Sequence, residues 1–130
     1  MSKYILRQKD DLWWRTTRGL SEHMKQIVRD KVENHIAERP YDEEELGYEL
    51  SGLWSYNKME TNSRIIYSIC EDCRKKKWTE MNHCDDCKDM ANNTVTLWAF
   101  GGHNIYEDLR RMRKKTWKKV VKQKRRERGY

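Results

Sequence analysis

Three groups of residues in this 130-residue chain are of types, and at spacings, that could do chemistry. Cysteines at positions 70, 73, 84 and 87 form C-x2-C-x10-C-x2-C. Each Cys-x-x-Cys turn can turn two thiolates toward one ion, and two such turns complete a tetrahedral all-sulfur set with no open position. That donor set suits a structural zinc ion, with an iron–sulfur centre as the next candidate and two disulfides disfavoured in a reducing compartment. Cys70, Cys73, Cys84 and Cys87 are therefore the expected metal ligands, and the ion is expected to take no part in catalysis. His83 borders Cys84, but four thiolates do not need it.

The second group lies in "TLWAFGGHNIYEDLRR", residues 96–111. His103 follows the pair Gly101-Gly102 at the end of a strand-like run, and Tyr106 stands three residues on. Histidine changes charge near neutral pH and can give or take a proton. A glycine pair tolerates positive φ and lets backbone or substrate come close.

The third group is basic. Residues 107–130 hold twelve Lys/Arg against three acids, a local charge of +9, so the other 106 residues carry −2 of the net +7. Arg110, Arg111, Arg113 and Lys114 open this segment. Such a stripe suits a polyanion, because every neutralised phosphate releases a counterion. Its bland competitor is a solvated tail that meets a membrane or an acidic protein. Between the cysteine pairs, Lys75, Lys76 and Lys77 precede Trp78, a grouping suited to stacking on an unpaired base. Trp78 packed over the metal knuckle is the equal alternative.

The elements that must position these groups follow from periodicity. Residues 3–8 alternate as a first strand. Residues 10–19 form a first helix, opened by Asp10 and Asp11 and closed by Gly19 in a left-handed cap. A second helix is capped by Ser21, with Met24, Ile27, Val28, Val32 and Ile36 at offsets of three and four, and Pro40 stops it. His23 and His35 fall on its polar side and read as surface residues. After an acidic link come strand-like runs at 53–59 and 64–70, joined as a hairpin, and a third at 94–100 whose Val95, Leu97 and Ala99 share one face. Leu109 and Met112 begin an apolar stripe on a last, basic helix. The order is β-α-α-β-β-β-α: an α+β fold, a small antiparallel sheet packed by two N-terminal helices, with the cysteine segment inserted between the last two strands. The expected division is a domain at 1–106, containing the 70–93 insertion, and a basic helix and tail at 107–130. No stretch is apolar enough to span a membrane and no signal-peptide pattern opens the chain, so a cytoplasmic protein is expected.

"ELSGLWSYNKMETNSRIIYSI" followed, after the insertion, by "VTLWAFGGHNIYEDLRR" resembles the RelE/ParE toxin superfamily, most nearly its YoeB/Txe-like branch. Leu50, Ser51, Gly52, Trp54 and Ser55 match the first element of that branch. Arg64, Ile65, Ile66 and Tyr67 match the second, and His103 and Tyr106 approximate the last. The resemblance implies a RelE-like fold and a metal-independent endoribonuclease that cuts messenger RNA on the ribosome and is held inactive by an antitoxin. It implies Glu44 as general base, although Glu43 and Glu45 would serve as well. For that task Arg64 can fork onto the phosphate, His103 can protonate the leaving oxygen, Tyr106 can orient or stack the substrate, and Lys58 can add charge. Tyr56, Asn57 and Lys58 stand where the branch carries adjacent arginines, and two residues separate His103 from Tyr106. Two other readings stay open: a zinc-stapled nucleic-acid-binding protein without catalysis, and a ParE-like toxin that inhibits a topoisomerase.

Overall fold

A computed structural model describes residues 3–8, 10–47, 50–59, 61–75 and 90–112. Among these, five strands form one sheet in the order β1-β5-β4-β3-β2. They are β1 (Ile5–Gln8), β2 (Glu44–Glu45), β3 (Leu53–Tyr56), β4 (Arg64–Ile69) and β5 (Thr94–Gly101). The helices are α1 (Asp10–Thr17), α2 (Glu22–Lys31), α3 (Cys70–Lys75) and α4 at residues 105–112. The α+β class is as expected, but the sheet is mixed and not wholly antiparallel: β1 runs parallel to β5, while the β2–β3, β3–β4 and β4–β5 pairs are antiparallel. A parallel neighbour needs a long crossover, and β5 meets β1 only after α1, α2, β2, β3, β4 and α3 have intervened. Two acids that read as a link, Glu44 and Glu45, form the edge strand β2 on β3. Gly52, at φ +91°, makes the turn into β3, a conformation that disfavours any residue with a Cβ.

The two faces of the sheet bury different clusters. On one, α2 lays Val28 and, in the π-helical turn that continues it, Val32 and Ile36 against Trp54, Tyr56, Ile65, Tyr67 and Leu97. Ser21 caps α2 by accepting a hydrogen bond from the Met24 amide at 3.1 Å, a contact that contributes about 1 kcal/mol. His23 and His35 are exposed, as their helical positions require. On the other face, Leu53, Ile66, Trp98 and Ala99 pack with Ile105 and Leu109 of α4. α1 sits at the edge of β5 beyond the end of β1. There the Thr16 hydroxyl accepts the Phe100 amide at 3.1 Å, while Trp13 and Leu12 reach opposite faces.

Three local expectations are corrected. Gly19 is not in the left-handed region. Cys70 begins α3 and does not end β4. The alternation along β5 breaks at Trp98, because Ile66 pairs with Ala99 and Tyr67 with Leu97, which leaves Trp98 as a bulge. One extra residue exchanges the faces beyond it, so Ala99 parts from Val95 and Leu97, and Phe100 joins them.

The 70–93 insertion begins inside the core. Cys70 and Cys73 are fully buried in the core beneath α4. Likewise, Leu109 is fully buried, so α4 crosses the expected boundary at 106/107 as one packed helix. Among the described residues, no helix is long and apolar enough to cross a membrane.

Candidate functional site

The register fixes which candidates share a face. Glu44 pairs with Ser55, Ser55 with Ile66, and Arg64, two residues from Ile66, with Gly101. Directly paired residues, and residues two apart on a strand, point to the same side. Glu44, Ser55 and Arg64 therefore face the side covered by α4, away from α2.

Arg64 stands at the start of β4 beside the exit of β5. Its Nη1 donates to the Tyr106 hydroxyl at 2.7 Å, and its guanidinium carbon lies 5.4 Å from the centre of the Tyr106 ring. The His103 and Tyr106 rings are 5.9 Å apart, centre to centre, and tilted by 59°. The structure thus brings Arg64, His103 and Tyr106 together, although Tyr106 does not adjoin His103 in sequence. A short turn does this: Ile105 and Tyr106 amides donate to the Gly102 and His103 carbonyls, both at 3.2 Å, and α4 begins there. Gly101, at φ +152°, launches the turn; a Cβ on it would lie 2.8 Å from Ile105 Cγ2. Only the first of the two glycines uses its freedom, since Gly102 is not at positive φ.

His103 is exposed and Arg64 and Tyr106 are half-buried, so one basic, aromatic rim is open to a ligand. Arg64 Nε is buried without a hydrogen-bond partner among the described residues. An arginine offers five donors in a fixed fork, and an unmade bond on a covered donor costs about 1–3 kcal/mol. An anion that drew this guanidinium into a two-point contact would recover that cost.

Glu44 is held from the residue that follows β3. Asn57 Nδ2 donates to Glu44 Oε2 at 2.5 Å, and the Ser55 hydroxyl bonds Asn57 Oδ1. Sequence reasoning treated Asn57 only as a departure from an arginine; its signal was its place two residues after Ser55 on a strand whose partner is Glu44. Lys58 pairs with Glu43 at 3.3 Å, which leaves Glu44, and not Glu43, as the exposed acid of the pair.

The other candidates do not gather here. Lys75 pairs with Glu71 at 3.0 Å on α3. Arg110 and Arg111 are exposed on α4 and lie 3.8 and 4.0 Å from Glu107, with Arg111 also 3.9 Å from Asp108. Lys76, Lys77, Trp78, Arg113 and Lys114, with Cys84 and Cys87, lie outside the described residues. Cys70 and Cys73 sit one helical turn apart at the start of α3, Cys70 Sγ lying 4.0 Å from Thr96 Oγ1. Among the described residues no three His, Cys, Asp or Glu side chains converge as a metal site. Beside these cysteines, sequence reasoning missed a cluster: Asp72, buried, accepts the Trp54 indole N–H at 3.1 Å, and Tyr41 meets Trp54 edge-on at 5.5 Å. Burial pushes the Asp72 carboxyl up from the usual carboxylate range, against the pull of the Trp54 bond.

No family model matches this sequence, and no curated protein does. Among solved structures, a chain of the RelBE2 toxin–antitoxin complex from Mycobacterium tuberculosis is similar in fold, with a TM-score of 0.54 at 16% identity. The match covers 78% of this chain and the whole of that one. The fold is therefore like that of a chain from a RelE-type toxin–antitoxin pair.

Proposed function

We propose that this protein is the toxin of a toxin–antitoxin pair, a RelE-like endoribonuclease nearest the YoeB/Txe-like branch, acting on messenger RNA at the ribosome. The observation that carries this reading is the convergence of Arg64, His103 and Tyr106 at the mouth of β4 and β5, on the sheet face that also bears Glu44. Its partners in this reading are RNA and an antitoxin protein, the second supported by the likeness to a chain of a toxin–antitoxin complex.

In this mechanism the carboxylate of Glu44, aimed by Asn57, takes the proton of a ribose 2′-hydroxyl. The 2′-oxygen attacks the adjacent phosphorus as the bond to the 5′-oxygen breaks. Arg64 neutralises charge on the phosphate oxygens, its fork steadied by the Tyr106 hydroxyl. His103, as imidazolium, gives its proton to the leaving 5′-oxygen, and a 2′,3′-cyclic phosphate remains. Lys58, Arg110, Arg111, Arg113 and Lys114, with Lys75 to Lys77 and Trp78, hold the RNA beyond the scissile bond.

We further propose a structural zinc ion on Cys70, Cys73, Cys84 and Cys87. The two cysteines among the described residues fit half of such a site, being buried and one helical turn apart. Bound there, the metal would close the segment between β4 and β5 and would supply no catalytic chemistry.

The test is cleavage mapping by primer extension in a translating extract, with wild type, Arg64→Ala and His103→Ala. Cuts at fixed codon positions, lost in both folded variants, are expected. Intact messenger with a folded, zinc-loaded wild type would overturn the nuclease reading. The second reading, RNA binding without catalysis, has one observation in its favour: Tyr56, where the branch carries an arginine, is buried on the α2 face.

A further inference from the structure

On the opposite side of the sheet from Arg64 and His103, α1, α2 and the edge strand β1 enclose an open groove of about 400 Å³. Its floor includes Leu6, Trp13, Val28 and Leu97, side chains of the core that the groove leaves reachable. Its rim is charged: among the described residues, Arg18, Lys25 and Arg29 line it against a single acid, Glu33. Trp14, which also lines it, is 57% exposed, the most open of the large apolar side chains among the described residues. The Arg18 guanidinium lies over the Trp14 ring at 4.6 Å and so stands ready at the mouth. Among the described residues, Arg29 is hydrogen-bonded only to the neutral Gln26 at 3.1 Å, and Lys25 reaches an almost fully exposed Glu22 at 3.6 Å. Such an exposed pair is weak and easily exchanged for a better partner.

We infer that this groove docks a segment of a partner protein in which acidic side chains flank apolar ones. The apolar floor needs apolar side chains to displace its water, and the three rim cations need carboxylates. Other occupants fit less well. The chain's own residues 113–130 carry ten Lys/Arg and one acid, the wrong sign for this rim. A second copy related by a twofold axis would set two cationic rims against each other. An RNA would find its phosphates matched and Trp14 to stack on, but Leu6, Val28 and Leu97 in the floor offer its bases neither a stacking surface nor a hydrogen bond. The inference goes beyond the nuclease reading and does not rest on it, since the groove and the catalytic candidates lie on opposite faces.

The experiment selects randomised 16-residue segments, displayed on phage, for binding to the full chain, and counter-screens them on Arg18→Glu/Arg29→Glu and on Trp14→Ala. All three positions are exposed, so the variants keep the wild-type melting temperature. The expected winners carry Asp or Glu among apolar residues, change Trp14 fluorescence on binding, and bind the charge-reversed chain at least tenfold more weakly. Neutral or basic winners would overturn the inference. So would acidic winners that bind the reversed chain equally, because they would be held elsewhere, as by the basic C-terminal segment. Displacement of the winners by a twelve-nucleotide single-stranded RNA, with the same Trp14 response, would assign the groove to nucleic acid instead.

Discussion

Gly101→Ala tests whether the turn that delivers His103 and Tyr106 is built as described. Two costs arise from one methyl group. The backbone at φ +152° lies in a region that only glycine populates freely, and holding an L-residue there costs about 1–3 kcal/mol. The new Cβ would sit 2.8 Å from Ile105 Cγ2, and Ile105 is 4% exposed with little room to retreat, so overpacking adds about 1–3 kcal/mol. Alanine also reduces the freedom of the unfolded chain, which returns about 0.4–1 kcal/mol. The net loss expected is about 1–5 kcal/mol, read by urea unfolding and seen as a fall in Tm on the order of 10 °C. A double-mutant cycle separates the two costs. Ile105→Ala alone opens a cavity costing about 2–4 kcal/mol, but in that background Gly101→Ala should lose only its backbone part, giving a coupling of about 1–3 kcal/mol in the stabilising direction. A Gly101→Ala protein within about 0.5 kcal/mol of wild type would refute the reasoning, as would a full cost undiminished in the Ile105→Ala background.

Tyr106→Phe removes the acceptor of the Arg64 bond; stability should fall by about 0.5–1.5 kcal/mol, and cleavage in the extract should fall by at least tenfold, both measured on the purified variant. Asn57→Ala frees Glu44 without touching Arg64, so cleavage should fall at least tenfold, with a loss of about 1–3 kcal/mol in unfolding because the buried Ser55 hydroxyl loses its partner, and unchanged cleavage would remove Asn57 from the site. Tyr67 is fully buried, donates to the Pro40 carbonyl at 2.5 Å, and is held above its ordinary value near 10.0 by burial and then by Glu43 and Asp42. A raised phenol contributes stability that is whole below the unfolded pKa of about 10 and is lost as pH rises beyond it; Tyr67→Phe should lose about 1 kcal/mol at pH 7 and show a shallower alkaline decline in chemical unfolding. Elemental analysis should find one zinc per chain, and Cys73→Ser should abolish it together with cooperative unfolding, because Cys73 is buried in the core with Ile66 and Leu109.

What could be read from the sequence was what repeats along it. The period of α2, its Ser21 cap and the branched run of β4 are local signals, and each resolved as expected. The parallel pairing of β1 with β5 joins residues some ninety positions apart and leaves no mark on either strand alone. The two-residue strand β2 is too short for alternation to show, and its acids read as a link because an exposed edge strand tolerates charge. Arg64, His103 and Tyr106 were legible as residue types beside glycines, yet their meeting depends on α4 starting at residue 105, within a turn whose geometry no spacing rule supplies. Asn57 was hidden for a plainer reason: an amide between a tyrosine and a lysine has no function until register places Glu44 within its reach.

The bulge at Trp98 joins the core to the site. Were the β4–β5 ladder regular from Tyr67 onward, Trp98 would oppose Ile66 and Phe100 would oppose Arg64. A phenyl ring would then cover the guanidinium, and Gly101 would face α2. With Trp98 set aside, held by its indole N–H on Ser68 at 2.8 Å, Ala99 opposes Ile66 and Gly101 opposes Arg64. The residue across from the arginine thus has no side chain, and the space is filled by Ile105, the first residue of the helix that brings Tyr106 to Arg64. Phe100 is meanwhile turned into the α2 core, where its burial helps fix the register that exposes the site. A one-residue irregularity, costly in a plain sheet, therefore accounts at once for a buried phenylalanine, a glycine at positive φ and an arginine left open to an anion.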